Sequence, residues 1–179
     1  MIWESSYWKD DLLKSAEFLS KKQKQRVWPD RSLTNIEKIL FLGFYAIRKL
    51  IESKTLSDKT EALKIRANSY PLQNKKRVHL YNRRRASELY DFSNKHLENL
   101  SIRFICNQVI HSYVFHLCFT TKNHLRSILI CSEKERTKQV FEIDLKNVIR
   151  LFKIVGNDYP TNYQSKFNPA LGDFEVFKS

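Results

Sequence analysis

Three polar residues at one-turn spacing form the strongest chemical signal in this sequence. Arg103, Asn107 and His111 follow one another at intervals of four residues within a largely apolar stretch, so on a helix they form one line. Histidine exchanges protons near neutral pH, and arginine grips phosphate through two hydrogen bonds. In a catalytic site, Arg103 would hold a phosphate, His111 would act as general acid or base, and Asn107 would orient the imidazole.

The same spacing also fits a purely structural network. Polar groups within an apolar helix need partners, because a buried polar group left unpaired costs about 1–3 kcal/mol. Asn107 would then bond to His111, and Arg103 would pair with a carboxylate such as Glu52. Both interpretations place the three residues on a helix over about 95–115, and the sequence leaves both open.

A basic segment is the second chemical signal. The chain has 32 Lys+Arg against 19 Asp+Glu, a net charge of +13, and such a field attracts polyanions. Cations neutralise phosphates and aromatic rings stack on bases, so the segment predicts contact with single-stranded nucleic acid, RNA above all. The alternative is a solvated loop. The residues concerned are Lys75, Lys76, Arg77, Tyr81, Arg83, Arg84 and Arg85.

Helical periodicity predicts the elements that would position these residues. A first amphipathic helix is expected over 7–24, and a second starts at the capping box Thr34–Glu37. Within the second helix, Gly43 would permit close approach of a neighbouring helix, and Arg48 and Glu52 are spaced to pair. A short helix within Leu56–Arg66 is expected before the basic segment.

From about residue 114 the hydrophobic pattern changes from helical spacing to short β-rich runs. The runs Val114–Thr120, Leu125–Ser132 and Lys138–Ile143 are short and β-rich, which predicts an antiparallel meander of three strands. A final helix is expected over about 144–156, and residues 158–179 are predicted to form a tail with little regular structure. The predicted fold is mainly α (α+β), a helical bundle with an appended small three-stranded meander. One domain would span 1–179, with a β-rich insertion at about 114–143.

Several other site classes lack a signal. No metal-ligand spacing and no glycine-rich phosphate loop occur, so no metal and no cofactor are expected. The odd number of cysteines, three, favours reduced thiols in a cytoplasmic protein. No apolar run is long enough to span a bilayer, so no membrane partner is expected.

The segment Arg103-Phe-Ile-Cys-Asn107-Gln-Val-Ile-His111-Ser resembles the signature helix of HEPN-type proteins, and Ala46-Ile-Arg48-Lys49-Leu50-Ile-Glu52-Ser resembles their other helix more weakly. The position before Asn107 is Cys106, where the family prefers arginine. The resemblance implies a helical core, a homodimer that joins two polar lines, and metal-independent RNA cleavage of the toxin or antiviral-defence type. Arg48 and Glu52 would then support the site.

A second hypothesis is a non-catalytic HEPN-like module. Here Arg103, Asn107 and His111 form a structural network, and the domain binds nucleic acid or a partner protein. A regulatory role beside a neighbouring gene product, as in an antitoxin, is a third hypothesis.

Overall fold

The computed structural model describes residues 2–170 and 172–179, which contain both helices and strands. Met1 and Leu171, two positions of the predicted 1–179 domain, lie outside the described residues. The helices are α1 (Ser5–Lys22), α2 (Asp30–Glu52), α3 (Asp58–Glu61), α4 (Ala86–Leu89), α5 (Ile102–Ile110) and α6 (Leu145–Gly156). The strands are β1 (Lys64–Pro71), β2 (His96–Ser101), β3 (Ser112–Phe119), β4 (Leu125–Ser132), β5 (Gln139–Asp144), β6 (Tyr163–Asn168) and β7 (Asp173–Lys178).

A five-stranded sheet, in the order β2-β1-β5-β4-β3, organises the molecule. All its neighbouring strands are antiparallel. The prediction of a mainly helical bundle with an appended three-stranded meander is therefore wrong, and the fold is α+β. The three predicted strands exist as β3, β4 and β5, but β1 and β2 extend them into a sheet on which the helices pack.

One face of this sheet is covered by helices. Successive strand residues point to opposite faces, and Ile128 and Ile130 of β4 belong to the same buried cluster as residues of α1, α2, α5 and α6. In α2 the helical spacing of Leu40, Phe44 and Ile47 places all three in that core. This layer holds most of the buried apolar surface.

The opposite face of the sheet is covered by residues 72–92, here called the cover segment. Leu129 and Cys131, the alternate residues of β4, pack there with Val78, Leu89 and Tyr90 of the cover segment. Tyr90 is completely buried, and its hydroxyl donates to the Arg136 carbonyl over 2.9 Å. The cover segment is thus part of the core, although it contains the basic residues.

The predicted helix over 95–115 is wrong. Its first part is β2, which pairs with β1 from Lys64↔Ser101 to Ser69↔His96. Ser101 then caps α5 by accepting from the Phe104 N–H over 3.2 Å, and α5 ends at Ile110. Pairing decides this region, because residues 96–101 pair with β1, which is remote in sequence, and residues from 112 onwards pair with β4.

Three other boundaries differ from expectation. α2 begins after Pro29, so the predicted capping box lies inside the helix. Residues 64–66 belong to β1 rather than to a short helix, which is confined to α3. The tail contains the β6–β7 hairpin. By contrast, the predictions for the first helix and for the final helix agree with α1 and α6 within a few residues.

Two buried lysines attach distant parts of the chain to the core. Lys9 of α1 donates to the carbonyls of Thr55 and Asp158 over 3.0 and 2.6 Å. Lys178 of β7 pairs with Glu61 of α3. Both lysines are almost fully buried, where an unpaired charge would be very costly. They therefore fix the C-terminal hairpin and α1 against the rest of the molecule.

Gly43 allows α2 and α6 to pack closely, as its position in the sequence predicts. A Cβ at this residue would lie 2.3 Å from Cζ of Phe152. We expect Gly43→Ala to lower the free energy of unfolding by about 1 kcal/mol, because overpacking costs about 1–3 kcal/mol and the gain in helix propensity returns only about 1 kcal/mol. Denaturant unfolding measures the change.

Phe152→Leu provides the control. In the double variant the clash is removed, so Gly43→Ala should cost less than it does alone, and a double-mutant cycle should report favourable coupling. A rise in stability on Gly43→Ala would contradict this explanation of the helix contact.

Candidate nucleic-acid interface

The three predicted catalytic residues do not all lie on one helix. Arg103 lies in the first turn of α5, Asn107 in its last turn, and His111 is the residue after the helix. The His111 N–H donates to the Asn107 carbonyl over 3.0 Å. Arg103 and His111 are exposed and Asn107 is half-buried. The three residues thus lie at a surface and not in a sealed core.

Arg48 of α2 is the partner of Asn107. Its Nη1 donates to Asn107 Oδ1 over 2.8 Å, and its Nε donates to Glu52 Oε1 over 2.6 Å. Lys49 Nζ donates to the other oxygen of Glu52 over 2.9 Å. The hydrogen bonds from Arg48 and Lys49 lower the pKa of Glu52 to about 2. The predicted pairing of Arg48 with Glu52 is confirmed.

This geometry changes the role expected for Asn107. Its side-chain oxygen accepts from Arg48 and so links α5 to α2, whereas an orienting role would require it to face the His111 imidazole. Arg48 likewise takes the place expected of Arg103 beside Glu52. Along the axis of α5, positions 103 and 111 are about 12 Å apart. Within one chain, therefore, Arg48 and Asn107 form a structural clasp between α2 and α5. Arg103 and His111 lie exposed on either side of it.

Gln108 and Cys106 secure the other sides of α5. Gln108 is buried, and its Oε1 accepts from the Ser132 N–H at the end of β4 over 2.8 Å. Cys106 is fully buried, and burial raises the pKa of its thiol to about 12. A thiol with such a pKa is inert at neutral pH.

The basic residues of the cover segment lie in residues 73–85, here called the basic loop, between β1 and α4. Arg83 is half-buried, with its guanidinium 5.4 Å from the centre of the Tyr113 ring. The other side chains predicted to bind nucleic acid are all exposed. These are Lys75, Lys76, Arg77, Tyr81, Arg84 and Arg85.

Several contacts fix the path of the basic loop. Val78 is buried against the sheet, and its carbonyl accepts from Arg136 Nη1 over 3.1 Å. Asn82 bridges the loop internally, since its Oδ1 accepts from the His79 N–H and its Nδ2 donates to the Arg77 carbonyl, both over 2.8 Å. The backbone is thereby fixed while the cationic side chains remain in solvent.

The three tyrosines within or flanking the basic loop in sequence differ in exposure. Tyr81 is 89% exposed, whereas Tyr70 is 6% exposed and Tyr90 is completely buried. An exposed ring can stack on a nucleic-acid base at little cost. Tyr70 and Tyr90 serve the core, so Tyr81 is the tyrosine that this surface offers to a ligand.

One buried carboxylate in the sheet was not predicted as a site residue from the sequence. Glu142 of β5 is 7% exposed, and its Oε1 accepts from Ser127 Oγ over 2.6 Å and from Arg126. Its Oε2 accepts from Tyr70 OH over 2.7 Å. The sequence holds a signal for it, because Glu142 interrupts an apolar strand and a buried charge requires partners. Its partners lie on β1 and β4, which the sequence does not bring together.

These partners decide the ionisation of Glu142. Burial by itself would raise the pKa of this carboxyl, but the hydrogen bonds from Ser127 and Tyr70 and the charge of Arg126 lower it overall. The carboxylate is therefore charged at neutral pH and holds the Arg126 guanidinium beside the sheet. The side chain of Arg126 itself remains 54% exposed.

Among residues 2–170 and 172–179, no group of three or more His, Cys, Asp or Glu side chains is arranged to hold a metal ion. Every helix in the same ranges is too short or too polar to cross a lipid bilayer.

Comparison of the chain with protein-family models, with curated proteins and with solved structures finds no match. The HEPN resemblance therefore rests on the two short segments alone. The helical core that it implies is not the fold observed, because a five-stranded sheet separates the helices from the cover segment.

We expect Glu142→Gln to lower the free energy of unfolding by about 2 kcal/mol, since hydrogen bonds to charged groups are worth about 1.5–3 kcal/mol and an amide accepts on one side only. Because the folded pKa of Glu142 is lowered, the carboxylate stabilises the fold above the ordinary glutamate range and this contribution is lost as the pH falls through the folded pKa. Urea titrations at several pH values measure it.

Glu98→Gln is the matched control, because Glu98 is half-buried and accepts a hydrogen bond from Ser69 Oγ. Its loss should be smaller. A Glu142→Gln protein as stable as the wild type at neutral pH, or a difference that grows on acidification, would contradict the role assigned to this carboxylate.

Proposed function

We propose that this protein binds single-stranded nucleic acid through the basic loop. The observation that carries the proposal is that Lys75, Lys76, Arg77 and Arg84 are exposed in the same loop as the exposed Tyr81 ring, and that the backbone of this loop is fixed to the sheet. Cations that track the phosphates and a ring that stacks on bases are the two components of single-strand binding. Ordering this backbone in advance reduces the entropy lost on binding.

Charge supports the same proposal. The net charge of +13 steers a polyanion towards the protein from a distance. Nearby carboxylates neutralise the basic loop only slightly, since Arg85 is 3.8 Å from Glu88 and both side chains are largely exposed. An exposed pair at this distance contributes little. RNA and DNA share this phosphate chemistry, and parallel titrations with both strands separate them.

The decisive comparison is between two triple variants of equal charge. Lys75, Lys76 and Arg77 are changed to Gln in one, and Lys146, Arg150 and Lys153 on the exposed side of α6 in the other. We expect the loop variant to bind an RNA strand of about 12 nucleotides roughly 100-fold more weakly at 0.1 M salt, with a salt slope lower by about two, because each phosphate contact on a single strand contributes about 0.7.

The α6 variant should bind as the wild type does, apart from a small loss of long-range attraction. Fluorescence anisotropy at several salt concentrations measures both quantities. Equal weakening by the two variants would indicate that net charge alone attracts the strand and would overturn the proposal. Absence of binding by the wild type would overturn it as well.

Metal-independent RNA cleavage is the second candidate function. It is favoured by the exposure of Arg103 and His111 on either side of Asn107. In this reaction the ribose 2′-hydroxyl loses its proton to a base and attacks the adjacent phosphate, and the 5′-oxygen leaves with a proton from an acid. His111 would act as base or acid, and Arg103 would stabilise the developing charge. Homodimerisation, which would bring two such lines together, stays a prediction.

We expect His111→Ala to abolish cleavage of a labelled RNA strand in EDTA if this second function is real. The loss follows because general acid–base catalysis contributes about 10²- to 10⁴-fold. His96→Ala is the control, since His96 is also exposed but lies on the edge strand β2. Equal cleavage by wild type and His111→Ala, or none by either, would remove the catalytic function and leave the binding proposal intact.

A further inference from the structure

A cavity of about 290 Å³ lies between the cover segment and the sheet. This volume is at the lower limit of small-ligand pockets. Its wall from the cover segment includes Arg84 and Phe92, and its wall from the sheet includes His116, Arg126 and Glu142. It therefore opens beside the basic loop, because Arg84 belongs to both.

The cationic side of the cavity is built into the core. Arg126 donates to Glu142, which also accepts from the buried Ser127 and Tyr70 side chains. This anchoring fixes one end of the guanidinium while the side chain remains 54% exposed. A guanidinium has five N–H donors, so donors remain for a ligand. Arg84 adds a second exposed cation at the rim.

The wall from the cover segment adds an aromatic ring to the cavity. The Phe92 ring is packed against Tyr70, with centroids 4.6 Å apart, and Tyr70 is almost completely buried. Phe92 itself is 41% exposed. A partly exposed ring that packs against a buried ring can serve as a platform on which a base stacks.

His116 ties the cavity wall to the basic loop. Its Nε2 lies 3.1 Å from the Arg83 carbonyl, one residue before Arg84. This contact holds the basic loop beside the cavity wall. Arg84 therefore belongs both to the basic loop and to the cavity lining that also contains Phe92.

We propose that this cavity receives one nucleotide of the strand that the basic loop binds, with its base on Phe92 and its phosphate between Arg84 and Arg126. This inference rests on the proposed function. Recognition by a ring and two guanidinium groups suits any base, so the cavity adds affinity for bases without selecting a sequence.

The test compares two phenylalanines of similar exposure. Phe92→Leu removes the aromatic face of the cavity, and Phe177→Leu changes a ring that is 50% exposed on β7. We expect Phe92→Leu to weaken binding of an oligo(A) strand about 10-fold, as loss of one stacked base predicts, without changing the salt slope. Phe177→Leu should bind as the wild type does.

An abasic strand with the same phosphates separates stacking from charge. Phe92→Leu should bind this strand with wild-type affinity, whereas Arg84→Gln should weaken binding of both strands and lower the salt slope by about 0.7, the value for one phosphate contact. Arg84 is exposed, so its replacement leaves the core unchanged. Thermal melting verifies that each variant is folded.

The outcomes distinguish the two proposals. If the triple loop variant loses affinity while Phe92→Leu behaves like Phe177→Leu on both strands, the cavity does not receive a nucleotide and the proposed function stands. If Phe92→Leu weakens both strands equally, stacking in the cavity is likewise excluded. If the triple loop variant binds as the wild type does, the proposed function fails, and this inference fails with it.

Discussion

The requirement to cover both faces of one sheet governs the rest of this structure. β4 has buried side chains on both faces, with Ile128 and Ile130 towards the helices and Leu129 and Cys131 towards the cover segment. A sheet with one apolar face left in water would lose about 25 cal/mol for each Å² that stays exposed. The segment that carries the most concentrated positive charge therefore also closes the core.

This double role explains how a charged loop becomes a defined surface. Val78, Leu89 and Tyr90 bury the apolar side of the cover segment, and its cations remain on the outer side. Beneath it, the Glu142 carboxylate fixes Arg126 at the boundary between core and solvent. The α5 clasp of Arg48 and Asn107 lies on the helical side of the sheet. The two polar sites predicted from the sequence, the α5 residues and the basic loop, therefore lie on opposite faces of the sheet.

Periodicity predicted the elements whose burial is one-sided or complete, and it failed where strand pairing decides. α1, α6, β4 and β5 carry clear patterns, and β3, which is half-buried along most of its length, was predicted from its β-rich composition. β2 is an edge strand whose residues are mostly exposed, so it shows little alternation. In β1 the core-facing positions include the small Ala67 and Ser69, which give a weak apolar signal. The basic loop was predicted from its charges and its tyrosine, but the cavity was not, because Phe92 meets Arg126 and Glu142 only where the cover segment packs on the sheet.

An amide chemical-shift titration of ¹⁵N-labelled protein with a single RNA strand tests the location of binding most directly. Binding through the basic loop predicts that the largest shifts fall in residues 73–85 and around Phe92 and Arg126, while α5 and the exposed side of α6 change little. Shifts concentrated on Arg103, Asn107 and His111, with the basic loop unaffected, would contradict this interface and place the ligand on the helical side of the sheet.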